Sequence, residues 1–194
     1  RLTKMAEVLV DYSLELKPED KFLINTTDLA TPLVKEVYRI ALLRGAYPEI
    51  QIQPEGLSRI YYATASNEQL QYVSPLREMA LGSFQAFLSI IADHNTKSLT
   101  NVDSEKIALR QRSMAPLNQL FMERAAKGEM RWCVALYPTL GLAQEASMSL
   151  DEYAEFVMEG CLLNSSDPKA QWQEVHDQQE RYVEFLNGVD VIEV

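Results

Sequence analysis

Short apolar runs, each the length of one buried strand, alternate with helix-period segments along most of this 194-residue chain. That alternation restricts the fold more than any other feature, because a strand, a crossover helix and a second strand normally form a parallel pair. Met5, Val8, Leu9, Tyr12 and Leu16 recur at three- and four-residue steps and predict an opening amphipathic helix. Lys17-Pro18-Glu19-Asp20 breaks it, and Phe22-Leu23-Ile24 follows as a buried strand. Asn25-Thr26-Thr27-Asp28 supplies capping oxygens for a second helix carrying Leu33, Val34, Val37, Tyr38, Ala41 and Leu42 on one face. Glu49 to Gln53 alternates as a second strand and completes one β-α-β unit.

The pattern then repeats loosely. Leu57–Ala65 and Glu68–Leu81 read as helices, the second interrupted around Ser74-Pro75. Ala86–Ala92 is the most strand-like stretch and ends at Asp93-His94-Asn95-Thr96. Two helices are expected at Glu105–Met114 and Leu117–Ala126, with Pro116 opening the second. Met130–Tyr137 is the fourth strand. Ser149 and Glu152 form a capping box for the next helix, and Asp167-Pro168 opens a long final one ending near Asn187-Gly188. Val189–Val194 reads as the start of a further strand. The expected fold class is α/β, a mostly parallel sheet flanked by helices, in one domain over residues 1–188.

Composition removes several functions. Eighteen Lys and Arg against 28 Asp and Glu leave a net charge of −10, the wrong sign for a phosphate backbone or an anionic membrane surface. No apolar run approaches the roughly 18 residues of a membrane span. The opening Arg1-Leu2-Thr3-Lys4 leads into an amphipathic segment rather than an apolar leader, so a cytoplasmic protein is expected. Only 7 glycines occur, and none follows Ile24, Ile91 or Leu136 as a dinucleotide or phosphate-binding turn requires.

The residues capable of catalysis or metal binding are few. His176 and Glu180 stand four apart on the last helix beside Glu174 and Asp177, a spacing that suits a solvated face better than a cation site. His94, after Asp93 at a strand end, occupies the place where α/β domains bind ligands, although a capping role is the simpler expectation. Cys133 lies between Trp132 and Val134 in an apolar strand, and Cys161 follows Gly160 at a helix end; both read as inert, buried thiols. Tyr61 and Tyr62 suit partial core burial or a ligand groove. Trp172, with Val175, Tyr182, Val183 and Leu186, reads as packing. No His-Glu-x-x-His, Cys-x-x-Cys or Gly-x-Ser-x-Gly motif is present.

One segment carries a specific resemblance. MRWCVALYPTLGLAQEASMSLDEYAEFVMEGCLL, residues 130–163, resembles a motif of the aminopeptidase T, aminopeptidase S and PepS family of thermophilic metalloprotease-like aminopeptidases. The match rests on Trp132, Pro138, Gln144-Glu145-Ala146, Met148-Ser149-Leu150 and Phe156, and the segments around 6–24, 31–50 and 87–108 agree with it. The resemblance spans the whole chain but only the N-terminal half of such proteins.

It implies a two-domain exopeptidase that removes N-terminal residues from peptide substrates with two divalent ions, zinc or cobalt. It also implies that the glutamate, histidine and aspartate ligands and a catalytic tyrosine lie in a C-terminal domain entered through residues 189–194. No catalytic, cofactor-binding or metal-ligating residue therefore transfers to this chain, and no bound ion is expected in it. The implied role is an inactive N-terminal domain that packs on its own C-terminal catalytic domain, helps enclose the substrate chamber and contributes to a homodimer. The alternative is a stand-alone α/β small-molecule-binding or oligomerisation module using the strand-end crevice near Thr26, Thr27, Asp93 and His94.

Overall fold

The computed structural model describes residues 1–189. Four strands, β1 (Lys21–Thr27), β2 (Tyr47–Gln53), β3 (Ala86–Ile91) and β4 (Arg131–Leu136), form one sheet in the order β2-β1-β3-β4. Every neighbouring pair is parallel. The α/β expectation holds and all four strands fall where the apolar runs place them. The further strand expected from Val189 onward falls on residues 190–194, outside the described residues.

The opening segment departs from a simple helix. Helix α1 (Leu2–Glu7) passes directly into a π-helical stretch, Val8–Ser13, where Leu14 N–H bonds to the Leu9 carbonyl at 3.0 Å. The wider turn still buries Val8, Leu9 and Val10. Helix α2 (Thr31–Leu43) is the first crossover and buries Leu33, Val34, Val37, Ile40 and Ala41. Three short helices follow β2: α3 (Leu57–Thr64), α4 (Asn67–Gln71) and α5 (Pro75–Ser83). The break between α4 and α5 lies at the expected Ser74-Pro75.

The two helices expected around Pro116 are one. Helix α6 runs unbroken from Ser104 to Ala126 with Pro116 inside it. A proline inside a helix removes one backbone bond, which tertiary anchors on both sides offset. Before it, Arg110 donates to the Leu70 and Tyr72 carbonyls; after it, Arg124 donates to the Leu81 and Phe84 carbonyls.

After β4 comes α7 (Leu140–Glu145), a helix the periodicity does not announce. Helix α8 (Leu150–Gly160) begins at the expected capping box: Ser149 Oγ accepts from Glu152 N–H, and the Glu152 carboxylate accepts from Ser149 N–H at 3.0 Å. Helix α9 (Pro168–Asn187) is capped by Asp167, whose side chain accepts from Ala170 N–H.

The core lies on one face of the sheet. Phe22, Ile24, Ala86, Leu88, Ile90 and Ala135 point into it and meet α1, the π-helical stretch and α2, with Met158, Leu163 and Trp172 packed alongside. The strand register fixes this, because partnered residues of parallel strands share a face: Ile24, Leu88 and Cys133 form one such row. On the other face, Phe121 of α6 packs against Phe87 and Trp132, but Ile91, Trp132 and Val134 remain 40–52% exposed. No helix among the described residues is long and apolar enough to cross a membrane.

Candidate functional site

Strand order places a topological switch point between β1 and β3, since the chain leaves β1 on one side for β2 and returns on the other for β3. In open α/β sheets, the crevice beyond the strand C-termini at such a point is the usual ligand position. A crevice of about 130 Å³ opens there, lined by Thr27, Gln53, Glu55, Arg59, Asp93 and His94 among others. The structure thus brings together Thr27, Asp93 and His94 of the predicted group. Thr26 is buried on the core face and its hydroxyl donates to the Ile90 carbonyl at 2.8 Å. Thr27 donates likewise to the Ala92 carbonyl at 2.6 Å. The backbone register between β1 and β3 runs from Phe22↔Ala86 to Asn25↔Ser89, so these hydroxyls carry the pairing beyond it.

His94 is the centre of the crevice. Its Nε2 lies 2.8 Å from Asp28 Oδ1 and its Nδ1 lies 3.4 Å from Glu55 Oε2. The Asp28 carboxyl is held below its ordinary range by the hydrogen bond from His94. Three strand-end loops therefore meet through one imidazole. Sequence reading placed His94 at a strand end but missed Glu55, which comes from the β2–α3 loop 39 positions earlier.

The loop carrying His94 is braced from behind by the segment after β4. Thr139 Oγ1 donates to the Asp93 carbonyl at 2.7 Å and also caps α7 by accepting from Leu142 N–H. A Cβ on Gly141 would stand 2.7 Å from the His94 carbonyl oxygen, so only glycine allows the helix to approach this closely. Glu145 accepts from Thr96 Oγ1 at 2.8 Å and from Lys97 Nζ at 3.0 Å, and these bonds hold its carboxyl below the usual range. Part of the motif Thr139–Glu145 thus has a local physical purpose: it positions the strand-end loop.

The crevice does not make a metal centre. The two His94 nitrogens point to opposite sides of the ring, each toward one carboxylate, so the three donors do not converge on one ion. Among the described residues no group of three or more His, Cys, Asp or Glu is arranged to hold a metal. His176 Nε2 stands 3.5 Å from Glu180 Oε1 on an exposed helix face. The described residues do not fit a dinuclear ion site.

The remaining candidates take structural places. Cys133 and Cys161 are half-buried free thiols, and burial pushes both upward in pKa, which opposes nucleophilic use. Tyr61 and Tyr62 are half-buried, meet edge to face at 5.3 Å, and the Arg110 guanidinium lies 5.8 Å from the Tyr61 ring centre. Trp172 packs against the core, with Nε1 donating to the Cys161 carbonyl at 3.1 Å and its own carbonyl accepting from Tyr12 Oη. Tyr182, Val183 and Leu186 do not join it: all three are exposed. The packing expected of them from the sequence fails because α9 extends past the body of the domain.

With the fold and crevice defined, comparison with known proteins places the chain. The model of the thermophilic metalloprotease (M29) family matches residues 1–194. The chain belongs to this family. Aminopeptidase 2 of Geobacillus stearothermophilus is 26% identical over 198 residues, covering 96% of this chain and 48% of the relative. The solved structure of wild-type AmpT from Thermus thermophilus superposes with a TM-score of 0.75 at 22% identity, covering 96% of this chain and 48% of that one. The chain thus spans about half the length of the relatives it matches.

Proposed function

We propose that this chain is the N-terminal domain, residues 1–188, of a cytoplasmic metal-dependent aminopeptidase acting on the free N-termini of peptides. The observation that carries the reading is the family match over the whole chain, joined to a length about half that of the relatives. In this reading the two divalent ions, zinc or cobalt, and the groups that activate water belong to a second domain entered through residues 189–194. When bound there, such ions would polarise the scissile carbonyl and supply a hydroxide at neutral pH.

This domain's own work is architectural. It offers the second domain a rigid wall, contributes to the substrate chamber and takes part in a homodimer. The test is direct. The purified 194-residue chain, incubated with Co²⁺ or Zn²⁺ and an aminoacyl chromogenic substrate, gives no turnover above a metal-only blank, whereas the polypeptide extended to the length of its relatives does. Turnover by the short chain sinks the reading.

The switch-point crevice supports the second reading, a small-molecule-binding module. It predicts a dose-dependent rise in melting temperature with a defined metabolite, because a ligand of the native state stabilises it by mass action. Substitution of His94 by alanine would abolish that rise.

A further inference from the structure

Helix α9 has two unequal halves. In the first, Trp172 and Val175 are half-buried against the domain. From His176 to Asn187 every residue is exposed, on all sides of the helix. A solvated helix of this kind would carry polar residues all round, but this one does not. At 100° per residue, Trp172, Val175, Tyr182, Val183 and Leu186 fall within about a third of the circumference of α9, with Gln179 among them. Phe185 flanks them. Past Gln179, the face that seats the first half on the domain becomes apolar again, with nothing beneath it among the described residues. Tyr182 and Phe185 are 68% and 70% exposed, and Val183 and Leu186 are 54% and 45% exposed. The opposite side carries Asp177, Glu180, Arg181 and Glu184, an ordinary solvent face.

We infer that the stripe Tyr182–Leu186 is the docking surface for the second half of the same polypeptide, which lies along it as an intramolecular interface. The inference rests on the proposed reading that such a half exists, and goes beyond it by naming the surface. Three observations select this occupant. The relatives are about twice as long as this chain. The stripe lies at the C-terminal end of α9, the last described helix, so a second half following it in sequence would begin within contact range.

The third is size. Two aromatic and two aliphatic side chains at these exposures present on the order of 400 Å² of apolar surface. That is short of the roughly 800 Å² per partner found in stable complexes between separate proteins. It suits the interface between domains of one chain, about 600–1,500 Å² in total, where tethering removes the cost of bringing partners together.

Amide hydrogen exchange tests the assignment, read on residues 178–188 in the 194-residue chain and in the polypeptide extended to the length of its relatives. The expected result is exchange at least tenfold slower in the extended form, unchanged on dilution through the range where any dimer dissociates. Val183→Asp combined with Leu186→Asp returns those amides to the fast rate. The amides of β1 and β3 remain protected, which shows that the variant is folded.

Equal exchange in the two forms overturns the assignment. Protection that disappears on dilution also overturns it and gives the stripe to a second copy of the chain. The underlying reading fails separately: an intact mass of the native polypeptide ending at Val194 removes both. A longer, active aminopeptidase with fast exchange at 178–188 removes only the docking assignment.

Discussion

The two faces of the sheet are built to different standards. On one, Phe22, Ile24 and Leu88 are wholly buried beneath α1, α2 and the π-helical stretch between them. On the other, the alternate residues of the same strands reach Ile91, Trp132 and Val134, which stay 40–52% exposed while Phe121 covers only the Phe87–Trp132 end. Sequence alone makes the faces look alike, since β3 and β4 are apolar at nearly every position. The difference teaches that burial is concentrated on one side of the sheet, while the other side retains exposed apolar surface.

The strongest way to break that comparison is to truncate one apolar side chain on each face. Leu88→Ala leaves a cavity in the sealed core and should cost about 2–5 kcal/mol. Val134→Ala, on the open face, should cost under about 1 kcal/mol. Urea denaturation reads both, and equal shifts in midpoint would erase the distinction.

A second test uses the charges that fasten helices over the sealed face. Asp11 accepts from Arg44 Nε at 2.7 Å and Nη2 at 2.9 Å, and from Lys169 Nζ at 3.3 Å. The Arg44 hydrogen bonds hold its carboxyl below the ordinary value, against the opposing effect of burial. Because the folded pKa is depressed, the contribution is complete above the unfolded value near about 3.9 and is lost as pH falls through the folded one. Asp11→Asn should cost about 1–2 kcal/mol at pH 7. It should also flatten the acid limb of the stability profile below about pH 4. An unchanged acid limb would show that the cluster does not secure that face.

Smaller effects sharpen the picture. Ser149→Ala removes half of the α8 capping box, away from either sheet face, and should cost about 1 kcal/mol. Its urea midpoint therefore falls between those of the two core-face variants and Val134→Ala. Alkylation gives a readout without stability: Cys133 on the sealed side should react slowly in the folded protein. A Val134→Cys variant, one position along the same strand, should react at least tenfold faster. Comparable rates would mean that the two faces are equally accessible.

The strands were legible because four apolar runs stand apart from their surroundings, and the caps at Ser149 and Asp167 because capping chemistry is local. Helix α6 was misread for the same reason. Pro116 is a strong local signal, whereas the anchors that carry the helix through it, Arg110 on the α4–α5 side and Arg124 beyond α5, reach carbonyls about 40 positions away. The crevice was half legible. A strand end at His94 follows from pattern, but its partners Asp28 and Glu55 become neighbours only when β3 returns beside β1. The role of Glu145 was opaque from sequence, since its acceptor function depends on Thr96 and Lys97 nearly 50 residues earlier. The outer half of α9 reads as packing from its apolar residues Tyr182, Val183 and Leu186; whether anything lies opposite them is not encoded in the sequence.

Thr26 and Thr27 sit where the β1–β3 ladder ends, on opposite sides of one strand, each clasping a carbonyl of the neighbouring segment. The mouth between these strands is therefore gauged by two hydroxyl groups rather than by the peptide backbone. Valine in either place would keep the shape, strand propensity and bulk, yet unlatch that side and leave a carbonyl oxygen without its donor. The separation of the two strand ends is in this sense set by a pair of oxygen atoms.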